Sequence, residues 1–132
     1  MGSFRASLEM AGKEFDVLYS TYELSRQVDK KGSPSSGVFG GEITMRIEST
    51  SDSSIVESMV NSQFKPVEGK IVFKKSDEDA KMREVEFKNA YIIRFKETLD
   101  VNGDNPMSIL FTVSAEEITI GNANHLNRWA KA

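Results

Sequence analysis

Met107-Ser108-Ile109-Leu110-Phe111-Thr112-Val113-Ser114-Ala115, continued by Glu116-Glu117-Ile118-Thr119-Ile120, decides the fold class. Met107, Ile109, Phe111, Val113 and Ala115 fall on every second position, the period of a strand with one face in a core. Ile118 and Ile120 extend that strand or pair with it. Upstream, Val85, Phe87, Asn89, Tyr91, Ile93 and Phe95 alternate over a long span. The intervening Asp100-Val101-Asn102-Gly103-Asp104-Asn105-Pro106 has the composition of a turn. Val67, Gly69, Ile71 and Phe73 form another alternating run, and the acidic Ser76-Asp77-Glu78-Asp79 reverses the chain after it.

The N-terminal part reads the same way. Phe4, Ala6, Leu8 and Met10 alternate, Ala11-Gly12-Lys13 turns, and Phe15, Val17 and Tyr19 begin the second arm of a hairpin. Tyr22, Leu24 and Val28 continue on shifted parity, which places a bulge near Ser20 or Thr21. Ile43, Met45 and Ile47 supply a further strand. Only residues 53–64 carry a helical period, through Ile55, Val56, Met59, Val60 and Phe64. Ser54 and Glu57 have the capping-box spacing, Asp52 competes as N-cap, and Pro66 forbids continuation. Core packing is the simpler use of that apolar face. Residues 1–132 are thus expected to form a single, mainly β domain. Its architecture is a small β-barrel or two-sheet sandwich of seven or eight strands, with one short α-helix and a long extended loop.

That loop, over about 29–41, breaks the alternation. Asp29, Lys30, Lys31, Gly32, Ser33, Pro34, Ser35, Ser36, Gly37, Val38, Phe39 and Gly40 are dominated by Gly, Ser and Pro, and read as neither strand nor helix. Loops of this length inside a compact domain are uncommon and tend to be functional or disordered. Val38 and Phe39 are an apolar pair in polar surroundings, able to fold onto the core or to anchor a partner.

Composition narrows the function. The chain has 132 residues, long enough to fold without disulfides or metals. Cysteine is absent, which removes thiolate chemistry and cysteine zinc sites. The net charge of −3, from 17 basic and 20 acidic side chains, contains no basic block, so nucleic acid is not expected as a partner. No apolar run approaches the length of a membrane span, and the first residues lack the apolar core of a signal peptide.

Each candidate for chemistry has a plainer explanation. His125 lies in a polar tail without a G-x-S-x-G elbow. Asp77, Glu78 and Asp79, like Asp100 to Asp104, lack the ligand order of a calcium loop. Gly37, Gly40 and Gly41 are followed by a strand, with no helix N-terminus to hold a phosphate. No catalytic residue, cofactor or metal is expected. A monomeric β-barrel binding a small apolar ligand is the main alternative, and a carboxylate hydrolase on a β scaffold a weaker one.

Pro34–Gly41 (PSSGVFGG), Ile55–Asn61 (IVESMVN), Phe64–Lys75 (FKPVEGKIVFKK) and Gly103–Ala115 (GDNPMSILFTVSA) occur in an order that resembles a known family. It is the haemolysin-coregulated tube protein of type VI secretion systems, in the form found in Bacteroidota; the ending with Trp129 also fits. The resemblance covers nearly the whole chain. It implies a non-enzymatic subunit that forms homo-hexameric rings stacking into a tube inside a contractile sheath. The implied partners are sheath, spike and baseplate proteins, with small effector proteins in the lumen. It also implies assembly in the cytoplasm and release to the extracellular space or a target cell without a signal peptide. The family's extended loop contacts the neighbouring ring, which by position makes Asp29 to Gly40 the stacking element.

Overall fold

The computed structural model describes residues 4–75 and 81–129. Nine strands and one helix follow in the order β1 (Phe4–Met10), β2 (Lys13–Tyr22), β3 (Ser25–Val28), β4 (Pro34–Phe39), β5 (Glu42–Glu48), α1 (Ser54–Val60), β6 (Val67–Lys75), β7 (Lys81–Leu99), β8 (Met107–Ile120) and β9 (Ala123–Leu126). The main sheet runs β5-β2-β1-β6-β7-β8-β9, and β5 also pairs with β8. Six antiparallel strands therefore close into a barrel, with β9 outside the ring of pairings. Closure leaves no open edge among those six strands.

The alternating residues fill the interior. Leu8, Ile43, Met45, Ile47, Ile71, Val85, Phe87, Phe111, Val113 and Ile118 have almost no exposed surface. Each of these side chains contributes about 1.5–3 kcal/mol on burial. The β5–β8 seam adds a polar pair outside that interior, where the Thr44 and Thr112 hydroxyls lie 2.9 Å apart and satisfy the buried Thr112.

Local rules explain the connections. Met10 pairs with Lys13, leaving Ala11 (φ 57°) and Gly12 (φ 74°) as a two-residue turn. Two positive φ values match the right-handed twist of a tight hairpin. At the β7–β8 turn, Asp100 donates its N–H to the Pro106 carbonyl and its side chain accepts from the Asn102 N–H. The Ser76-to-Asp79 turn lies outside the described residues.

Several expectations need correction. Residues 29–41 are not a structureless loop, since 34–39 form β4 and pair with β3 as a second, two-stranded sheet. The strands number nine among the described residues, not seven or eight, because β3, β4 and β9 expose most of their side chains and carry no apolar period. The bulge in β2 lies between Val17 and Tyr19, earlier than Ser20 or Thr21. The strand then stops at Tyr22, and Val28 belongs to the small sheet. The helix covers Ser54–Val60 only, and its N-cap is Ser53, whose hydroxyl donates to the Glu57 carboxylate; Asp52 instead accepts the Ser54 N–H. Ile55 and Met59 reach the core, whereas Val60 is 61% and Phe64 85% exposed.

The alternation along β7 also changes face twice. Val85 and Phe87 point inward, Asn89 takes φ 52°, and Ala90 and Ile92 then point inward in place of Tyr91 and Ile93. Asn tolerates this left-handed conformation better than most residues. A second irregularity between Ile92 and Arg94 returns Phe95 to the core side.

Candidate assembly arm and its base

β3 and β4 form an arm that stands outside the barrel's sheet. Ser25 pairs with Phe39, Arg26 with Val38 and Val28 with Pro34. The unpaired Gln27 donates its N–H to the Ser36 hydroxyl at 2.9 Å, and Arg26 Nε donates to the Ser36 carbonyl at 3.1 Å. The tip is closed by Asp29. Its carboxylate accepts from the N–H groups of Lys31 (2.9 Å) and Ser33 (3.0 Å), and its own N–H donates to the Ser33 carbonyl. Gly32, at φ 84°, supplies the left-handed residue this turn needs.

The expected stacking residues are thereby divided by place. Asp29, Lys30, Lys31, Gly32 and Ser33 make the tip; Pro34, Ser35, Ser36, Gly37, Val38 and Phe39 make the returning strand; Gly40 lies at the base. Val38 and Phe39 do not fold onto the core, being 44% and 52% exposed, and Val28 is exposed too.

The base of the arm is tightly built. An added methyl on Gly41 would lie 2.5 Å from both the Ala115 carbonyl oxygen and Asn127 Nδ2, and φ there is 109°. The Gly41 carbonyl accepts from the Ala115 N–H at 2.8 Å. Asn127 Nδ2 donates to the carbonyls of Gly40 (2.7 Å) and Ala115 (3.2 Å), which identifies that atom as the amide nitrogen. Asn127 Oδ1 therefore accepts from His125 Nε2–H at 2.9 Å, so His125 is occupied structurally. Glu116 fastens the tail further. Its carbonyl accepts the Asn127 N–H, while its carboxylate accepts the Trp129 N–H and the Asn89 side-chain amide. Trp129 rests on Tyr91, ring centres 6.1 Å apart. Sequence reasoning missed this network, since its members are far apart in the chain; Trp129 in a polar tail was the one visible sign.

Ion pairs join several charged residues elsewhere on the barrel. Lys13 pairs with Asp52, and that contact together with the hydrogen bond from the Ser54 N–H lowers the Asp52 pKa to about 2. The same carboxylate raises the pKa of Lys13. Lys70 lies 3.4 Å from Glu9 and 3.8 Å from Glu84, and its pKa is raised chiefly by Glu9. Lys81 holds the Glu84 carboxyl below its usual range. Among the described residues, no three His, Asp or Glu side chains converge as a metal site. Two clefts among the described residues are open surface grooves, one along Glu9–Glu14 and one at the arm, lined by Tyr22, Glu23, Phe39 and Asn127.

A family profile described as haemolysin coregulated protein Hcp (TssD) matches residues 2–130. Among solved structures, Hcp1 from Flavobacterium johnsoniae superposes with a TM-score of 0.88 at 36% identity, covering 93% of this chain and 99% of that one. Hcp1 from Salmonella typhimurium shares the fold at TM-score 0.72 with 10% identity, covering 93% and 91%. The sheath/tube terminator of an extracellular contractile injection system shares it at TM-score 0.56 and 13% identity, covering 88% and 92%. No curated protein matches the sequence.

Proposed function

The chain belongs to the haemolysin-coregulated protein (Hcp, TssD) family, and on that premise we propose that it is a structural subunit of a type VI secretion tube. Its work is assembly, not catalysis. Copies join into hexameric rings, the rings stack, and sheath contraction expels the tube with its spike and small effector cargo. The subunit is assembled in the cytoplasm and leaves the cell with the tube.

One observation carries the role given to residues 29–40. They belong to a self-supporting hairpin outside the barrel that exposes Val28, Val38 and Phe39. An arm of this kind suits stacking, because six weak contacts engage together when two rings meet. Head-to-tail contacts close into a ring when the rotation permits. The ligand-carrier alternative loses ground to the filled barrel interior, where side chains occupy the space a small apolar molecule would need.

Deleting Ser33 to Gly37 tests the arm. Rings should persist in negative-stain images while stacked tubes disappear. Normal tubes from that variant would remove the stacking role from the arm.

A further inference from the structure

We propose that Asn127 is the positioning residue of the β3–β4 arm, clipping the arm's return connection to strand β8 so that the docked C-terminal tail sets the arm's direction. The arm joins the barrel through Glu23–Leu24 on one side and Gly40–Gly41 on the other. Neither β3 nor β4 pairs with the barrel sheet, and an open cleft lined by Tyr22, Glu23, Phe39 and Asn127 lies at the arm. The arm's direction therefore depends on its base. There, one side-chain amide spends both of its N–H groups on carbonyls of two different elements, Gly40 and Ala115. Gly41 leaves room for that amide, since a methyl there would meet it at 2.5 Å.

The clip is itself held. His125 Nε2–H fixes the amide's oxygen, the Asn127 N–H is bonded to Glu116, and Trp129 anchors the next turn of chain on Glu116 and Tyr91. Orientation matters because a multivalent contact is lost when geometry forbids all copies from engaging together. That consequence rests on the stacking role proposed above; the clip does not.

The absence of cysteine allows spin labels to be placed through Lys31→Cys at the arm tip and Lys96→Cys on the barrel. Labelled chains are mixed with a large excess of unlabelled chain, so that pulsed electron resonance reads distances within one subunit. In the parent the distance distribution is narrow. Asn127→Ala should broaden it by roughly twofold, a local loosening that leaves the global unfolding midpoint nearly unchanged. Asn127→Asp should broaden it as much, since a carboxylate still accepts from His125 but has no N–H for Gly40 or Ala115. A distribution unchanged in both variants overturns the clip, as does broadening matched by an equal loss of the whole fold. The stacking role fails separately, if the arm-deleted chain forms normal tubes while Asn127→Ala still broadens the arm.

Discussion

Asn127 Nδ2 lies 2.7 Å from the carbonyl oxygen of Gly40, a hydrogen bond spanning 87 positions of sequence that ties the C-terminal tail to the base of the arm. The arm's internal bonds, from Asp29 at the tip to Ser36 in mid-strand, give it shape. This bond and the space left by Gly41 relate that shape to the barrel. Energetic consequences can therefore be assigned separately to the core, the arm and its base.

Phe39→Ala should lower unfolding stability by under about 1 kcal/mol, because the ring is half exposed and leaves no cavity behind. Phe87→Ala, which empties the barrel centre, should cost about 3–5 kcal/mol. Chemical denaturation of both variants checks this, and stacking measured by sedimentation should be lost in Phe39→Ala despite its stability. A core-sized loss from Phe39→Ala would place that ring in the fold instead of at a contact.

Gly41→Ala and Gly37→Ala should behave oppositely. At Gly41 the backbone has φ 109° and the methyl collides with Ala115 and Asn127, so a loss of about 1–3 kcal/mol is expected. At Gly37, in an exposed strand with nothing within 4 Å, alanine should be neutral or stabilise by up to about 1 kcal/mol. Paired denaturant midpoints decide the comparison.

The Asp52–Lys13 pair gives a pH signature. Folding lowers the Asp52 pKa to about 2, so the charged form stabilises the native state above the ordinary carboxylate pKa, and this is lost as pH falls toward 2. Asp52→Asn should therefore be less stable than the parent at pH 6, with the difference closing between about pH 4 and pH 2. Parallel thermal melts across that range measure it, and a constant gap would dissociate the shift from stability.

Trp129 is the chain's single tryptophan, so its fluorescence reports tail docking directly. Tyr91→Ala removes its ring partner, a contact worth about 0.5–1.5 kcal/mol. The emission should shift to longer wavelength while the far-ultraviolet spectrum of the barrel stays unchanged.

The barrel's strands were legible in the sequence because β1, β5, β6 and most of β8 turn alternate side chains into the core, so Leu8, Ile43, Ile71 and Phe111 stand at the expected period. Barrel and sandwich were not distinguished by that period. β7 kept the right extent but not the right faces. Asn89 looked like one more position in an alternation, and its positive φ, with the later irregularity at Ile93, moved Tyr91 and Ile93 outward. The arm was visible as a break in pattern but not as a hairpin: Ser25, Arg26, Pro34 and Ser35 expose their side chains, so no apolar period marks the strands. Phe64 kept helical spacing with Ile55, yet the helix ended at Val60 and left it in solvent. The Asn127 bonds join distant residues without any local signature, and only the folded chain brings them together.

Native light scattering combined with negative-stain microscopy of the unmodified protein reads its assembly state. Six-membered rings with an open centre are expected, together with stacks of those rings. A monodisperse particle of 14.7 kDa with no rings would contradict that expectation.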